Sequence, residues 1–396
     1  MNHKTIHFDT LAIHAGEEKD QNQALNAPIY MSSTFTFDSI QQADDTFSFK
    51  RKAYVYTRGG NPTINLLERR VAALENGVDG VAFASGMAAI TSVLLSLVKQ
   101  GDNILAHCNL YGSTYSAIRD LFAKFGISGN FVDMTNLETV RQSIKPETKV
   151  IYFETPTNPS LEILDITEIV KIAHEFNIKV VIDNTFATPF LQRPLDLGAD
   201  IVIHSTTKYF SGHGDAVGGI AVAKSEEYIA NLKFGYMCEL GGVISPFNAW
   251  LILRGLKTLS LRMERHVQNA KAVVDFLLSH PKVERIMYPG LTTHLGHEIA
   301  KKQMSDFGGI LSFEITGDAE TARKCVENMQ LAKLAVSLGD AETLVEIPAL
   351  MTHRSYSEKD LHKAGFSKKT IRISTGLEHH LDIINDLKLA MDSVYK

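Results

Sequence analysis

Cysteine is scarce in this chain. Cys108, Cys238 and Cys325 are the three among 396 residues, far apart and odd in number. They exclude a disulfide framework and fit a reducing, cytoplasmic setting. No long hydrophobic run is present either. The most apolar stretch, near Ala88 to Val98, is short and broken by Thr91, Ser92 and Ser96, so no membrane partner is expected. Met1-Asn2-His3-Lys4-Thr5 opens no apolar leader segment. Positive charge is not in excess: 40 Lys and Arg face 45 Asp and Glu, for a net charge of −5. With no basic run, nucleic acid is not an expected partner. The GxGxxG and GK[ST] patterns are absent, which excludes a dinucleotide fingerprint and a P-loop. The closest histidine pairs, His294 with His297 and His379 with His380, lack HExxH spacing and neighbouring cysteines. They read as solvated, and no metal is expected.

What is present is a large apolar complement, 44% of residues, enough for a sizeable core. From about 62 to 223, short apolar runs alternate with longer helical patterns. The runs lie at 80–84, 103–106, 130–132, 150–153, 180–182, 201–203 and 219–222, with helices such as 87–99 and 166–176 between them. That alternation predicts a mostly parallel sheet covered by helices. Beyond about 245 the texture changes to two long helices, 247–259 and 262–278, an alternating strand at 309–315 and a last helix at 381–394. This predicts a smaller α+β domain. Residues 1–60 read as an irregular arm, closed by the breakers Gly59-Gly60-Asn61-Pro62. An arm of that length packs on something else, and a neighbouring subunit is the expectation. The division is 1–60 for the arm, 61–245 for the sheet domain and 246–396 for the C-terminal domain.

Two strand ends carry the chemistry. The run Val180-Val181-Ile182 ends in Asp183, and Ile201-Val202-Ile203 leads into Ser205-Thr206-Thr207-Lys208. Open α/β sheets bind ligands at the carboxyl ends of their strands. A strand-end lysine paired with a strand-end carboxylate is what a pyridoxal phosphate site needs. The amine makes an imine with the cofactor aldehyde, and the acid faces the ring nitrogen. Ser205 and Thr207 supply hydroxyls and Gly212 and Gly214 permit close approach, which suits a phosphate. Ser85-Gly86-Met87 reads as a helix start that can offer N–H groups to an anion. Tyr111, after the strand at 103–106, can stack on a ring and move a proton. Arg372, in an apolar strand, can grip an α-carboxylate as a fork.

These segments together resemble the Cys/Met-metabolism family of pyridoxal-phosphate enzymes. The resemblance spans nearly the whole chain, through Tyr56-Thr57-Arg58-Gly59-Gly60-Asn61-Pro62, Ser85-Gly86-Met87, Glu154-Thr155-Pro156-Thr157-Asn158-Pro159, Val181 to Phe186, His204 to Asp215, Ala335 to Gly339 and Arg372 to Glu378. It implies the fold type I, aspartate aminotransferase-like architecture and a homotetramer built as a dimer of dimers. By the resemblance Lys208 is the imine lysine and Asp183 the ring-nitrogen partner. Gly86, Met87, Ser205 and Thr207 are phosphate ligands, and Tyr56 and Arg58 reach the phosphate of the neighbouring subunit. Tyr111 is the stacking tyrosine, Asn158 a cofactor-side contact, and Ser337 and Arg372 form the substrate carboxylate site. Tyr56, Ser113 and Glu346 fall on its substrate side. Ser113 stands where methionine γ-lyases usually carry Cys, and Glu346 resembles a glutamate of cystathionine γ-lyases.

The activity expected is γ-elimination on a sulfur amino acid, giving 2-oxobutanoate, ammonia and a thiol. Lys208, Tyr111 and Asp183 are the catalytic residues. The alternative is γ-replacement, as in cystathionine γ-synthase or O-acetylhomoserine sulfhydrylase. A minor alternative is a non-catalytic cofactor-binding regulator.

Overall fold

A computed structural model describes residues 6–48, 50–354 and 356–395. The first five residues, over which no leader was expected, lie outside that set. Seven strands form the large sheet: β1 (Asp79–Phe83), β2 (Asn103–His107), β3 (Ser128–Val132), β4 (Thr148–Glu154), β5 (Lys179–Asp183), β6 (Ile201–His204) and β7 (Gly219–Ala223). Their order is β1-β7-β6-β5-β4-β2-β3. All neighbours are parallel except β7, which runs against both β1 and β6. Each expected apolar run lies in or overlaps one of these strands. The central runs Val150–Phe153, Val180–Ile182 and Ile201–Ile203 are buried. Helices cover both faces of such a sheet, so its strands read as continuous apolar runs rather than alternating ones.

The second sheet contains β8 (Val283–Met287), β9 (Ile310–Ile315), β10 (Lys333–Leu334), β11 (Leu344–Glu346) and β12 (Ile371–Ser374), in the order β10-β11-β12-β9-β8. The helices Pro246–Leu256 and Leu259–Ser279 precede it and His380–Ser393 closes it. Leu311, Phe313, Ile371 and Ile373 of this sheet pack against Val273, Leu277 and Leu387 of those helices.

The arm is less irregular than its sequence suggests. It contains the helices Phe8–His14 and Ile40–Phe47. The first buries Leu11 and Ala12 against the helix Pro62–Glu75 of the same chain, where Arg70 Nε donates to the Ala15 carbonyl at 3.0 Å. The second is capped by Ser39, whose side chain accepts from the Gln42 N–H. Ser39-Ile40-Gln41-Gln42 is a recognisable helix-start pattern.

No helix among the described residues is long and apolar enough to cross a membrane. Among the described residues no group of three or more His, Cys, Asp or Glu is arranged to hold a metal. His297, expected to be solvated, is instead buried, with its Nδ1 2.8 Å from the Pro289 carbonyl and its ring stacked on Phe307.

Candidate active site

Three parallel strands end side by side at the carboxyl edge of the large sheet, and each ends in a polar group. Glu154 of β4 pairs in register with Asp183 of β5, and Asp183 with Ile203 of β6. The chain leaving β6 then turns Lys208 back across this edge. The result is a cleft of about 480 Å³ walled by Lys208, Asp183, Tyr111, Asn158, Ser337 and Arg372, among others. That volume suits a small molecule of cofactor size.

Lys208 is partly buried, and its Nζ donates to Ser337 Oγ at 3.1 Å. Burial, and then the positive charge of Arg372, lower its pKa below the ordinary lysine value. Both effects disfavour the ammonium form. Such an amine is available as a base at lower pH than an exposed lysine. Asp183 is 9% exposed, and burial pushes its pKa up. The N–H of Thr185, 2.9 Å from Oδ1, and the Thr185 side chain pull the other way. Glu154 is 6% exposed, and its pKa is raised well above the carboxylate range by burial and then by the charge of Asp183. Two adjoining buried carboxyls do not both ionise readily. Burial thus favours the neutral acid at both, and at Glu154 the Asp183 charge adds to it.

An anion cradle lies on the next wall. The helix Gly86–Leu97 starts at the cleft, capped by Ser85, whose hydroxyl accepts from the Ala88 N–H at 3.1 Å. The N–H groups of Gly86 and Met87, in the first turn, have no partner within the helix. A Cβ on Gly86 would sit 2.8 Å from Ser205 Cβ, so only glycine lets the two backbones approach this closely. Ser205 and Thr207 both line the cleft. The Thr207 hydroxyl is engaged with Gly218, at 3.1 Å from both its N–H and its carbonyl. A phosphorylated aromatic aldehyde fits this set: donors for the phosphate, an amine for the carbonyl carbon and a carboxylate for a ring nitrogen. Tyr111 supplies an exposed ring on the same wall.

Arg372 closes the far end. On β12 it stands directly across from Glu346 of β11, and its Nη1 lies 2.8 Å from Glu346 Oε1. Nη1 also donates to Asn158 Oδ1 at 2.9 Å, and Nη2 to the Ser337 carbonyl at 2.6 Å. Its Nε is buried with no hydrogen-bond partner among the described residues. An unmet guanidinium donor on a cleft wall suits a carboxylate. Glu346 does not line the cleft. It sits behind Arg372, fully buried, and also accepts from the Thr352 hydroxyl at 3.0 Å. Glu346→Ala should leave Arg372 as an uncompensated buried charge and cost about 3–5 kcal/mol of stability. Thermal unfolding of the variant measures this, and an unchanged midpoint would contradict it.

The structure brings most of the sequence candidates to one place. Lys208, Asp183, Tyr111, Asn158, Gly86, Met87, Ser205, Thr207, Ser337, Arg372 and Ser113 all line the cleft. Tyr56 and Arg58 do not. They stand outside the cleft of their own chain, the guanidinium 5.3 Å from the Tyr56 ring centre. Among the wall residues not singled out from the sequence are Glu154 and Thr185. Glu154 also accepts hydrogen bonds from the backbone N–H groups of Asn158, at 3.3 Å, and Tyr111. Thr185 Oγ1 accepts from the Ser205 N–H at 2.9 Å, tying the Asp183 strand end to the Lys208 loop. The available signal was their position, since each lies at or just past the end of an apolar strand.

The sequence profile described as Cys/Met metabolism PLP-dependent enzyme matches residues 9–392. The chain is 47% identical over 396 residues to L-methionine γ-lyase of Fusobacterium nucleatum subsp. nucleatum, covering 100% of both chains. It is 44% identical over 384 residues to cystathionine β-lyase of Lactococcus lactis subsp. cremoris, covering 97% of this chain and 98% of that one. The crystal structure of cystathionine γ-lyase from Lactobacillus plantarum, complexed with L-serine, superposes with a TM-score of 0.91 at 41% identity. It covers 98% of this chain and 100% of the other.

Proposed function

The chain belongs to the Cys/Met-metabolism family of pyridoxal-phosphate-dependent enzymes, with the fold type I architecture, and from that premise we propose that it is a γ-lyase acting on sulfur amino acids. With methionine, the reaction consumes one water and yields 2-oxobutanoate, ammonia and methanethiol. The observation that carries the reading is a single cleft in which a lysine of lowered pKa, a buried carboxylate and a guanidinium with an unmet donor face one another.

When bound, pyridoxal phosphate supplies an electron-withdrawing ring that stabilises negative charge at the substrate Cα. The residues of this chain do the rest. Gly86, Met87, Ser205 and Thr207 hold the phosphate, and charged Asp183 keeps a proton on the ring nitrogen. Asn158 holds the cofactor side of Arg372. Arg372 takes the α-carboxylate and so fixes the Cα proton toward Lys208. Lys208 Nζ removes that proton and then one from Cβ, as a general base. The Tyr111 hydroxyl protonates the departing sulfur. Ser113 and Thr352 stand on the wall that the sulfur substituent meets.

The arm completes the proposal. Leu25, Met31, Ile40 and Phe47 are exposed apolar side chains on it. Copies of the chain pair over this surface, and Tyr56 and Arg58 of each enter the cleft of the other. The full assembly is a homotetramer in the cytoplasm.

A substrate panel tests the activity. Methionine, homocysteine and cystathionine are each incubated with the loaded enzyme, and 2-oxobutanoate is separated from pyruvate. Appearance of 2-oxobutanoate with at least one of the three is expected. Activity only with O-acetylhomoserine plus sulfide or cysteine would replace elimination by γ-replacement. Pyruvate from cystathionine, without 2-oxobutanoate, would move the cleavage to Cβ.

A further inference from the structure

Next to the substrate cleft lies a second cavity of about 400 Å³. Thr207, Val336 and Ser337 wall both it and the substrate cleft. Its other wall includes Gly214, Asp215 and Asp340. Asp340 is 8% exposed, and its Oδ1 is a buried acceptor with no hydrogen-bond partner among the described residues. Its carboxyl faces the Ser337 side chain and the Gly214 N–H. Lys208 Nζ donates to that same Ser337 hydroxyl at 3.1 Å. A hydroxyl between an amine and a carboxyl both accepts and donates, so it can pass a proton from one to the other.

Ser337 is held for this placement. Its φ of 147° lies where L residues are rarely found, a strain that persists only when the surroundings fix it. Its carbonyl accepts from Arg372 Nη2 at 2.6 Å. Two residues on, Gly339 has φ of +74°, and a Cβ there would stand 2.8 Å from Tyr209 atoms. The Gly339 N–H donates to Ser374 Oγ at 2.9 Å. The loop is thus pinned at both Ser337 and Gly339.

We propose that Lys208, Ser337 and Asp340 form a proton relay that discharges the catalytic amine into the second cavity rather than into the substrate cleft. The inference rests on the γ-elimination reading, in which Lys208 collects a proton from Cα and another from Cβ. Lys208 has to be neutral again before it takes the second proton, while substrate fills the cleft. The Lys208 ammonium gives a proton to Ser337 Oγ while Ser337 gives its own to the Asp340 carboxylate. Lys208 becomes a neutral amine, Ser337 is unchanged, and Asp340 becomes a neutral acid that releases its proton to water in the second cavity; the same steps in reverse return a proton for Cγ, so none is lost overall. Asp340 touches neither substrate nor cofactor and acts through Ser337, as a positioning residue. The charged groups around the relay are few. Arg372, Asp340 and Glu346 face Lys208, and Lys208 and Glu342 face Asp340.

The test uses the cofactor-loaded enzyme with Asp340→Asn and Asp340→Glu. One readout is the pH midpoint at which the visible absorption of the bound cofactor changes. A carboxylate near a protonated nitrogen holds that proton, so Asp340→Asn should lower the midpoint by about one pH unit. The other is deuterium uptake from heavy water into Cα and Cβ of L-norleucine, which has no leaving group. Loss of the relay should slow uptake at Cβ by about 10-fold. Asp340→Glu should restore both in large part. The relay is overturned if either quantity stays at the wild-type value in Asp340→Asn, or if both fall and Asp340→Glu restores neither, which marks a structural role. If Asp340→Asn does not fold, Asp340→Ser is read by the same criteria. Absence of 2-oxo acid from the wild-type enzyme with every sulfur amino acid would sink the γ-lyase reading. The midpoint would still judge the relay.

Discussion

Lys208→Ala is expected to lower turnover of any sulfur amino acid by about 10⁴-fold or more, because one side chain serves as the base for two proton removals. The fold should survive. Lys208 is only partly buried, and among the described residues its Nζ makes one hydrogen bond, to Ser337 Oγ at 3.1 Å. Losing one such bond costs about 1 kcal/mol. The cleft walls built by Asp183, Gly86, Ser205 and Arg372 do not depend on it. The variant should therefore bind cofactor through the phosphate cradle yet fail in catalysis. A small primary amine such as methylamine should recover part of the lost rate, entering the space left by the side chain. The recovery should grow with pH as more of the amine is neutral. Turnover within 10-fold of wild type, or rescue independent of amine basicity, would remove Lys208 from the role of base.

The pH dependence of wild type follows from the same residue. Burial and Arg372 lower the Lys208 pKa, so its neutral form prevails from a lower pH than an exposed lysine allows. The base-limited rate should accordingly rise with pH and level off below the ordinary lysine value. Glu346 and Asp340 oppose that shift through their negative charge. Removing either charge should move the rising limb further toward acid.

The large sheet was legible in the sequence because its strands are buried on both faces, and each apolar run is bounded by a turn. The placement of Lys208 and Asp183 was legible for the same reason: strand ends can be read, and adjacent parallel strands put them side by side. What sequence reading missed depends on partners distant in the chain. Glu346 sits on a strand of three residues, β11, too short to show a pattern, and its pairing with Arg372 exists only through cross-strand register. Glu154 looks like any polar strand end until Asp183 is placed beside it. His297 looked solvated because no local pattern reveals that Phe307 and the Pro289 carbonyl enclose it. The helix Ile40–Phe47 is the contrary case. Its capping signal at Ser39 and Gln42 was present in the sequence, but the helix spans only eight residues inside a segment read as irregular.

The second large effect concerns the arm. Arg58→Ala and Lys208→Ala enzymes should each be nearly inactive alone, and co-expressing them should restore about a quarter of wild-type activity, as expected for a two-fold dimer with shared sites. The figure follows from chance pairing. Half of the dimers are hybrids, and in each hybrid one cleft has an intact Lys208 from one chain and an intact Arg58 from the other. The physical basis is that Arg58 lies outside its own cleft beside an exposed Tyr56. A phosphate held only by helix N–H groups and hydroxyls lacks a full positive charge, which a guanidinium from a neighbour supplies. Losing that charge-assisted pair should weaken cofactor retention by about 10–100-fold, so the Arg58→Ala parent is assayed at limiting cofactor. Separately purified hybrids, carrying a different tag on each chain, make the measurement clean. Each should show one functional cofactor site per two chains. If hybrids are no more active than the mean of their parents, Arg58 serves no cleft but its own chain's surroundings. The exposed apolar arm residues would then require another partner.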